Sequence, residues 1–223
     1  MKRLILALLL SASCLSGAEP AQSAVSPEQV ARLAANRAWY QALPAAPAPE
    51  LTRHGLVAAE LARWPVRGAN QGVAVDAEYF YGIGNHVLVK HRNDNGERVA
   101  EWISPRGGPL VHLNGGHVAD GRLVLAHSNF PQLPMASSLE IHDTGTLAPV
   151  ATRSLGIRLG SLTWAERHDG HWWACFANYN DQGTTPGFDN RWTYLGKFDD
   201  NWQLLESWLF PPQVVAAWGR SSS

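Results

Sequence analysis

V-A-D-G-R-L-V-L-A-H-S-N at residues 118–129 and R-H-D-G-H-W-W-A-C-F-A-N at 167–178 are two copies of one pattern, 49 residues apart. Each centres on Asp-Gly, a pair that accepts the left-handed conformations of a two-residue hairpin turn, between runs rich in Val, Leu, Trp and Phe. Upstream, A-V-D-A-E-Y-F-Y at 74–81 takes the same place about 44 residues earlier, without its glycine. Each copy continues into a third strand ending in a polar turn (V-K-H-R-N-D-N-G, E-I-H-D-T-G, G-K-F-D-D-N). A fourth strand then follows (R-V-A-E-W-I, L-A-P-V-A-T, L-L-E-S-W-L). Four short strands repeating every 45 to 55 residues or so mark the blade of a β-propeller, whereas a sandwich has no reason to repeat at that period.

The runs expected as strands are 55–64, 71–76, 78–83, 86–92, 98–103, 116–119, 122–127, 138–143, 147–154, 161–166, 171–178, 192–198 and 202–210. They predict an all-β, propeller-like chain of about three four-stranded blades. The run at 55–64 is one extra strand, placed outermost in a blade shared between the chain ends. Propellers usually close with four or more blades, so the expectation is an incomplete propeller. It would belong to a longer propeller, close by oligomerisation, or contain a misassigned blade.

The blades are preceded by other signals. Lys2-Arg3, an apolar run from Leu4 to Leu10 and small residues through Ala18 have the order of a secretory signal peptide, and the run is too short to span a bilayer. Residues 1–18 are therefore expected to be removed after Ala18, giving a periplasmic or secreted protein. In the competing reading Cys14, within L-S-A-S-C, is a lipidated first residue, and only then is a membrane a partner. Residues 19–50 form a leader. Ser26-Pro27-Glu28 starts a short helix running to about Ala42, and P-A-A-P-A-P at 44–49 is a stiff linker. The propeller-like domain is expected over 51–223.

With Cys14 outside the fold, Cys175 is its only thiol, so an intramolecular disulfide is excluded, and an apolar strand around it predicts a buried, inert group. The net charge is −1, and no basic run follows the signal peptide, which argues against nucleic acid as a partner.

Asp120-Gly121 as a two-residue turn sets Ala119 opposite Arg122, Val118 opposite Leu123 and His117 opposite Val124. A regular strand then places Asn114 opposite His127, with His112 on that same face and His117 on the other. Because the first strand of a blade lines the channel and begins beside the end of the second, His112, Asn114, His127 and Asn129 are expected to gather at one channel mouth. Ser161, Thr163, Phe176 and Asn178 of the third blade would join them. The bland alternative is that these groups bond only to nearby backbone and water. Ser128 beside His127 is a poor nucleophile, since neighbours in a strand point to opposite faces.

His86, His91 and His142 fall on third strands or their turns and read as surface residues, while His168 and His171 flank a hairpin. The tryptophans read as packing between blades, with a sugar platform as the alternative. In the long polar loop 179–190, Asp181, Asp189 and Asn190 offer hard oxygen ligands for calcium, although their spacing matches no calcium loop.

N-Q-G-V-A-V-D at 70–76, L-E-I-H-D at 139–143 and T-L-A-P-V-A at 146–151 resemble bacterial exported propellers of the surface-layer and lactonase type, across residues 51–213. The resemblance implies a propeller and, for its lactonase members, a divalent metal on the axis held by acidic and asparagine side chains. A Glu-Asn-Asn-Asp set is not matched in this chain. The expected role is accordingly that of an exported binding protein without a cofactor. It would hold a small molecule or partner protein at the channel mouth, through His112, Asn114, His127, Asn129 and Asn178. The alternatives are a metal-dependent lactonase-type hydrolase and a non-functional fragment of a longer propeller.

Overall fold

A computed structural model describes Pro27, Ala31, Val57 and residues 59–158, 160–180 and 182–218. Pro27 and Ala31 are helical, in agreement with the expected helix start, while the signal peptide, Cys14 and the proline-rich linker lie outside the described residues.

Among the described residues, twelve strands form three four-stranded antiparallel sheets, each in sequential order. Sheet 1 holds β1 (Gly72–Val75), β2 (Tyr79–Ile83), β3 (Val87–Arg92) and β4 (Arg98–Ile103). Sheet 2 holds β5 (His112–Ala119), β6 (Arg122–Ser128), β7 (Ala136–Asp143) and β8 (Pro149–Ile157). Sheet 3 holds β9 (Ser161–His168), β10 (His171–Ala177), β11 (Tyr194–Phe198) and β12 (Leu204–Leu209). The expected blades are thus present, and among the described residues the three sheets do not close into a ring.

The extra strand at 55–64 is not: Val57 and residues 59–64 carry no ladder, and Val57 and Leu61 are almost fully exposed. Instead the chain just after it crosses the free face of sheet 1. Trp64 packs on the Gly96 backbone, and Val66 and Ala69 lie against Gly82, where any side chain would collide with them at 2.7 Å.

Turn chemistry explains the hairpins. Asp120 and Gly121 (φ 50° and 69°) and Asp169 and Gly170 (φ 48° and 72°) are all left-handed, as a type I′ turn requires. Sheet 1 lacks the glycine and uses a longer turn, in which Asp76 Oδ1 accepts from the N–H groups of Glu78 (2.9 Å) and Tyr79 (2.7 Å). Asp76 Oδ2 also accepts from the Tyr81 hydroxyl at 2.7 Å. Burial opposes ionisation of Asp76, but these three bonds prevail and hold its carboxyl below the usual range.

Two cores join the sheets. Tyr81, Ile83 and Leu88 meet Leu113, Leu123, Leu125 and Leu147 between sheets 1 and 2. Val124, Ala126, Leu139 and Leu155 meet Leu162, Ala174, Phe176, Phe198 and Trp202 between sheets 2 and 3. Each fully buried leucine stabilises the fold by roughly 1.5–3 kcal/mol. β6 is buried on both faces, hence its unbroken L-V-L-A, whereas β12 is exposed along its length and carries Glu206 as an edge strand does.

His86 is exposed as expected, but His91 and His142 are buried, and the reason lies in the backbone. Each ring tucks over its own third-strand turn, while the extra residue of the ladder beside it, Val99 in β4 and Val150 in β8, lies on the partner strand. The two Nδ1 atoms reach the carbonyls of Gly96 (2.9 Å) and Leu147 (2.8 Å). Gly96, Leu147 and Trp202 each close a third-strand turn in the left-handed region (φ 72°, 59° and 61°), so the repeat extends to backbone conformation.

Two elements went unpredicted: a 3₁₀ turn at Asn190–Trp192 and the helix α1 (Pro212–Trp218), whose first-position proline was its one sequence signal. Val215 of α1 is buried.

Candidate functional site

The first strands β1, β5 and β9 approach one another along the inner edge of the sheets, and glycine governs how closely. A Cβ on Gly72 would lie 2.8 Å from Gly115 Cα, and a Cβ on Gly115 would lie 2.9 Å from Trp164 Cβ and 3.0 Å from the Thr163 carbonyl oxygen. Both clashes are with neighbouring strands, so side chains there would force the sheets apart. Between the three strands lies a cleft of about 580 Å³, within the range of small-molecule sites. Asn70, Gln71, Asn114, Thr163, Trp164 and Glu166 line it.

Gly115 also explains why the expected register failed. His117 pairs with Val124 and Val118 with Leu123 as predicted, but Leu113, not Asn114, lies opposite His127. β5 bulges between Leu113 and Gly116, putting one extra residue on its side of the ladder. Sheet 3 repeats the bulge: Leu162 pairs with Phe176 and Ala165 with Ala174, leaving Thr163 and Trp164 in the irregular stretch. Each bulge reverses the side-chain parity upstream of it.

His112 is consequently paired with Ser128, whereas His127 pairs with Leu113 and faces sheet 1. The four groups predicted to form one cluster do not share a pocket: His112 stays near enough to lower the pKa of His127, but each side chain has partners of its own. His112 is half-buried, its ring 5.0 Å from that of Phe130. Burial, helped by nearby His86, holds its pKa below the usual histidine value. Asn114 is buried and donates to the Leu162 carbonyl at 2.9 Å, stitching sheet 2 to sheet 3. Asn129 grips its own loop, accepting from Ala136 N–H (2.8 Å) and donating to the Pro134 carbonyl (3.1 Å). Asn178, its counterpart in sheet 3, donates to the Trp192 carbonyl at 3.1 Å. Of the five predicted residues, only Asn114 lines the cleft.

His127 sits in a buried relay. Its Nε2 accepts from Val111 N–H at 3.2 Å, so the proton resides on Nδ1, which lies 2.8 Å from Ser138 Oγ. Ser138 in turn donates to the buried Glu140 at 2.6 Å, whose other oxygen accepts from Thr152 at 2.6 Å. Burial keeps the imidazole pKa low despite the carboxylate nearby. Every atom of this chain is occupied by another protein group, which suits a structural strut. Ser128 points the other way, 2.7 Å from Ser161 Oγ, as expected of neighbours in a strand.

Among the described residues, no three His, Cys, Asp or Glu side chains converge to hold a metal ion. The cleft offers one carboxylate, Glu166, and Asn114 is committed to Leu162, so the lining does not fit the acidic and amide cage of a lactonase-type metal. In the polar loop, Asp189 caps the 3₁₀ turn and pairs with Arg191 at 2.6 Å, which removes it from the expected calcium set, while Asp181 lies outside the described residues. Cys175 is buried, and burial pushes its thiol up to about 11.

Sequence reasoning missed Asn70, Gln71, Trp164 and Glu166. Gly72 and the pair Gly115-Gly116 were the available signal, since glycine within a strand often marks close approach of another backbone.

No protein-family model and no curated protein matches the chain. Solved structures similar to it include a europium-containing methanol dehydrogenase (10% identity over 63% of this chain and 32% of that one, TM-score 0.41). The WD40 β-propeller domain of Doa1 is another, with 10% identity over 63% of this chain and 55% of that one, at a TM-score of 0.33. The matched part thus spans about a third to just over half of those chains.

Proposed function

We propose that the chain is an exported binding protein that holds a small polyhydroxylated molecule, of sugar type, in the cleft between β1, β5 and β9. The observation that carries this reading is the lining of that cleft. Trp164, 37% exposed, offers an indole face for the apolar side of a sugar ring, beside the amides of Asn70 and Gln71 and the carboxylate of Glu166. Amides and a carboxylate can together donate to and accept from hydroxyls; Glu166 sits on β9, and Gln71, just before β1, is tied to β2 by the bond from its N–H to the Ile83 carbonyl at 3.0 Å. Export is supported by the Lys2 to Ala18 segment of the sequence.

The test is thermal melting and calorimetric titration of the protein against neutral mono- and disaccharides. A ligand at 100 times its Kd should raise the unfolding free energy by about 2.7 kcal/mol. Trp164→Ala should abolish that shift, and Glu166→Gln should weaken it. Binding that survives Trp164→Ala, or a panel in which no sugar shifts the melt, refutes the reading.

A further inference from the structure

A second concavity lies away from the axial cleft, on the outer side of sheet 3. Its volume is about 450 Å³, and Arg158, Phe188, Trp192, Tyr194, Trp208 and Leu209 are among the residues that line it. The lining is largely aromatic. Phe188 meets Trp192 edge-on at 4.8 Å, and Tyr194 is held flat against Phe176 at 4.8 Å. Leu209 remains 42% exposed, on an edge strand that no other strand of the sheet covers, while its neighbour Trp208 turns to the opposite face and stacks on Trp173 at 5.7 Å. Rigid aromatic walls with an open apolar side chain are what a planar or aliphatic ligand needs.

One charge interrupts this surface. Arg158 follows the end of β8, and its Nε is buried without a hydrogen-bond partner. Among the described residues no carboxylate lies within ion-pair distance of its guanidinium, as is also true of Arg67, Arg106 and Arg153, but Arg158 is the one of these four that lines the groove. Its Nε is enclosed by protein while the residue as a whole is only part-buried, which leaves the terminal N–H groups of the guanidinium to meet a carboxylate in the groove.

We infer that this groove is a binding site for a small amphipathic carboxylate. The apolar body lies against Trp192, Tyr194 and Leu209, and the carboxylate accepts from Arg158. Charge complementarity sets the anionic end, the aromatic walls set the apolar end, and the volume limits the body to about two fused rings or a medium-length chain. The site is independent of the sugar cleft, since the two share no lining residue.

The experiment is calorimetric titration of the full chain with 2-naphthoate and with its neutral analogue 2-naphthamide, repeated for Arg158→Gln and Leu209→Ala. The acid should bind about tenfold or more tightly than the amide, the difference expected of hydrogen bonds to a charged group. Arg158→Gln should erase that ratio and leave the amide affinity within about twofold, while Leu209→Ala should weaken both ligands. Should Arg158→Gln fail to fold, the acid-to-amide ratio of the unmodified protein decides alone. Equal affinities for acid and amide, or no saturable binding of 2-naphthoate at millimolar concentration, overturn the inference.

Discussion

Gly115→Ala tests the geometry on which the axial cleft depends. The new Cβ would stand 2.9 Å from Trp164 Cβ, 3.0 Å from the Thr163 carbonyl oxygen and 3.3 Å from Trp164 Cα. Comfortable contacts begin near 3.5 Å, so β5 and β9 must separate by roughly half an ångström. Backbone cannot yield as a flexible side chain can, and overpacking of this kind costs about 1–3 kcal/mol. The displacement also stretches the bond from Asn114 to the Leu162 carbonyl, now 2.9 Å, and losing it adds about 1 kcal/mol. A total of about 2–4 kcal/mol lowers the melting temperature of a domain this size by about 4–16 °C. The assay is thermal unfolding followed by far-ultraviolet circular dichroism. A variant that melts within 1 °C of the parent would show that β5 and β9 do not approach at Gly115, and the cleft would lose its basis.

Two further outcomes follow from burial. His142 is fully buried, and burial outweighs the pull of the Leu147 carbonyl and Glu140, holding its pKa below the ordinary value near 6.5. The unfolded chain therefore takes up a proton that the folded one refuses, so the stability from neutral His142 is complete above about pH 6.5 and is lost as pH falls toward the folded pKa. Over that interval the loss approaches about 1.4 kcal/mol per pH unit for this one group. His142→Phe, which installs the residue that sheet 3 carries at the matching position, Phe198, should flatten the fall in melting temperature between pH 7 and 5; an unchanged slope contradicts it. Cys175, with its thiol raised to about 11, should react with a disulfide reagent at neutral pH only after denaturation when tested in a Cys14→Ser background. Rapid labelling of the native protein would refute that burial.

What the sequence determined by itself was whatever a few adjacent residues can enforce. Asp-Gly at 120–121 and 169–170 dictates a two-residue turn by backbone sterics alone, and the turn fixes the register of the nearest three pairs. Repetition of that unit then discloses the blades, so fold class, strand order and most strand limits were legible. The run at 55–64 misled because apolar residues resemble a strand whether or not a partner edge is present. The site was decided only by tertiary structure. The bulges at Asn114-Gly115 and Thr163-Trp164 arise where one sheet presses on the next, and each reverses the side-chain alternation upstream. That reversal gave His112, Asn114 and His127 separate partners, loop geometry made ties of Asn129 and Asn178, and the approach of the sheets brought Asn70 and Gln71 beside Trp164 and Glu166, 93 to 96 residues further along. A period-two pattern cannot record a contact between sheets, because the contact depends on where three separate backbones meet.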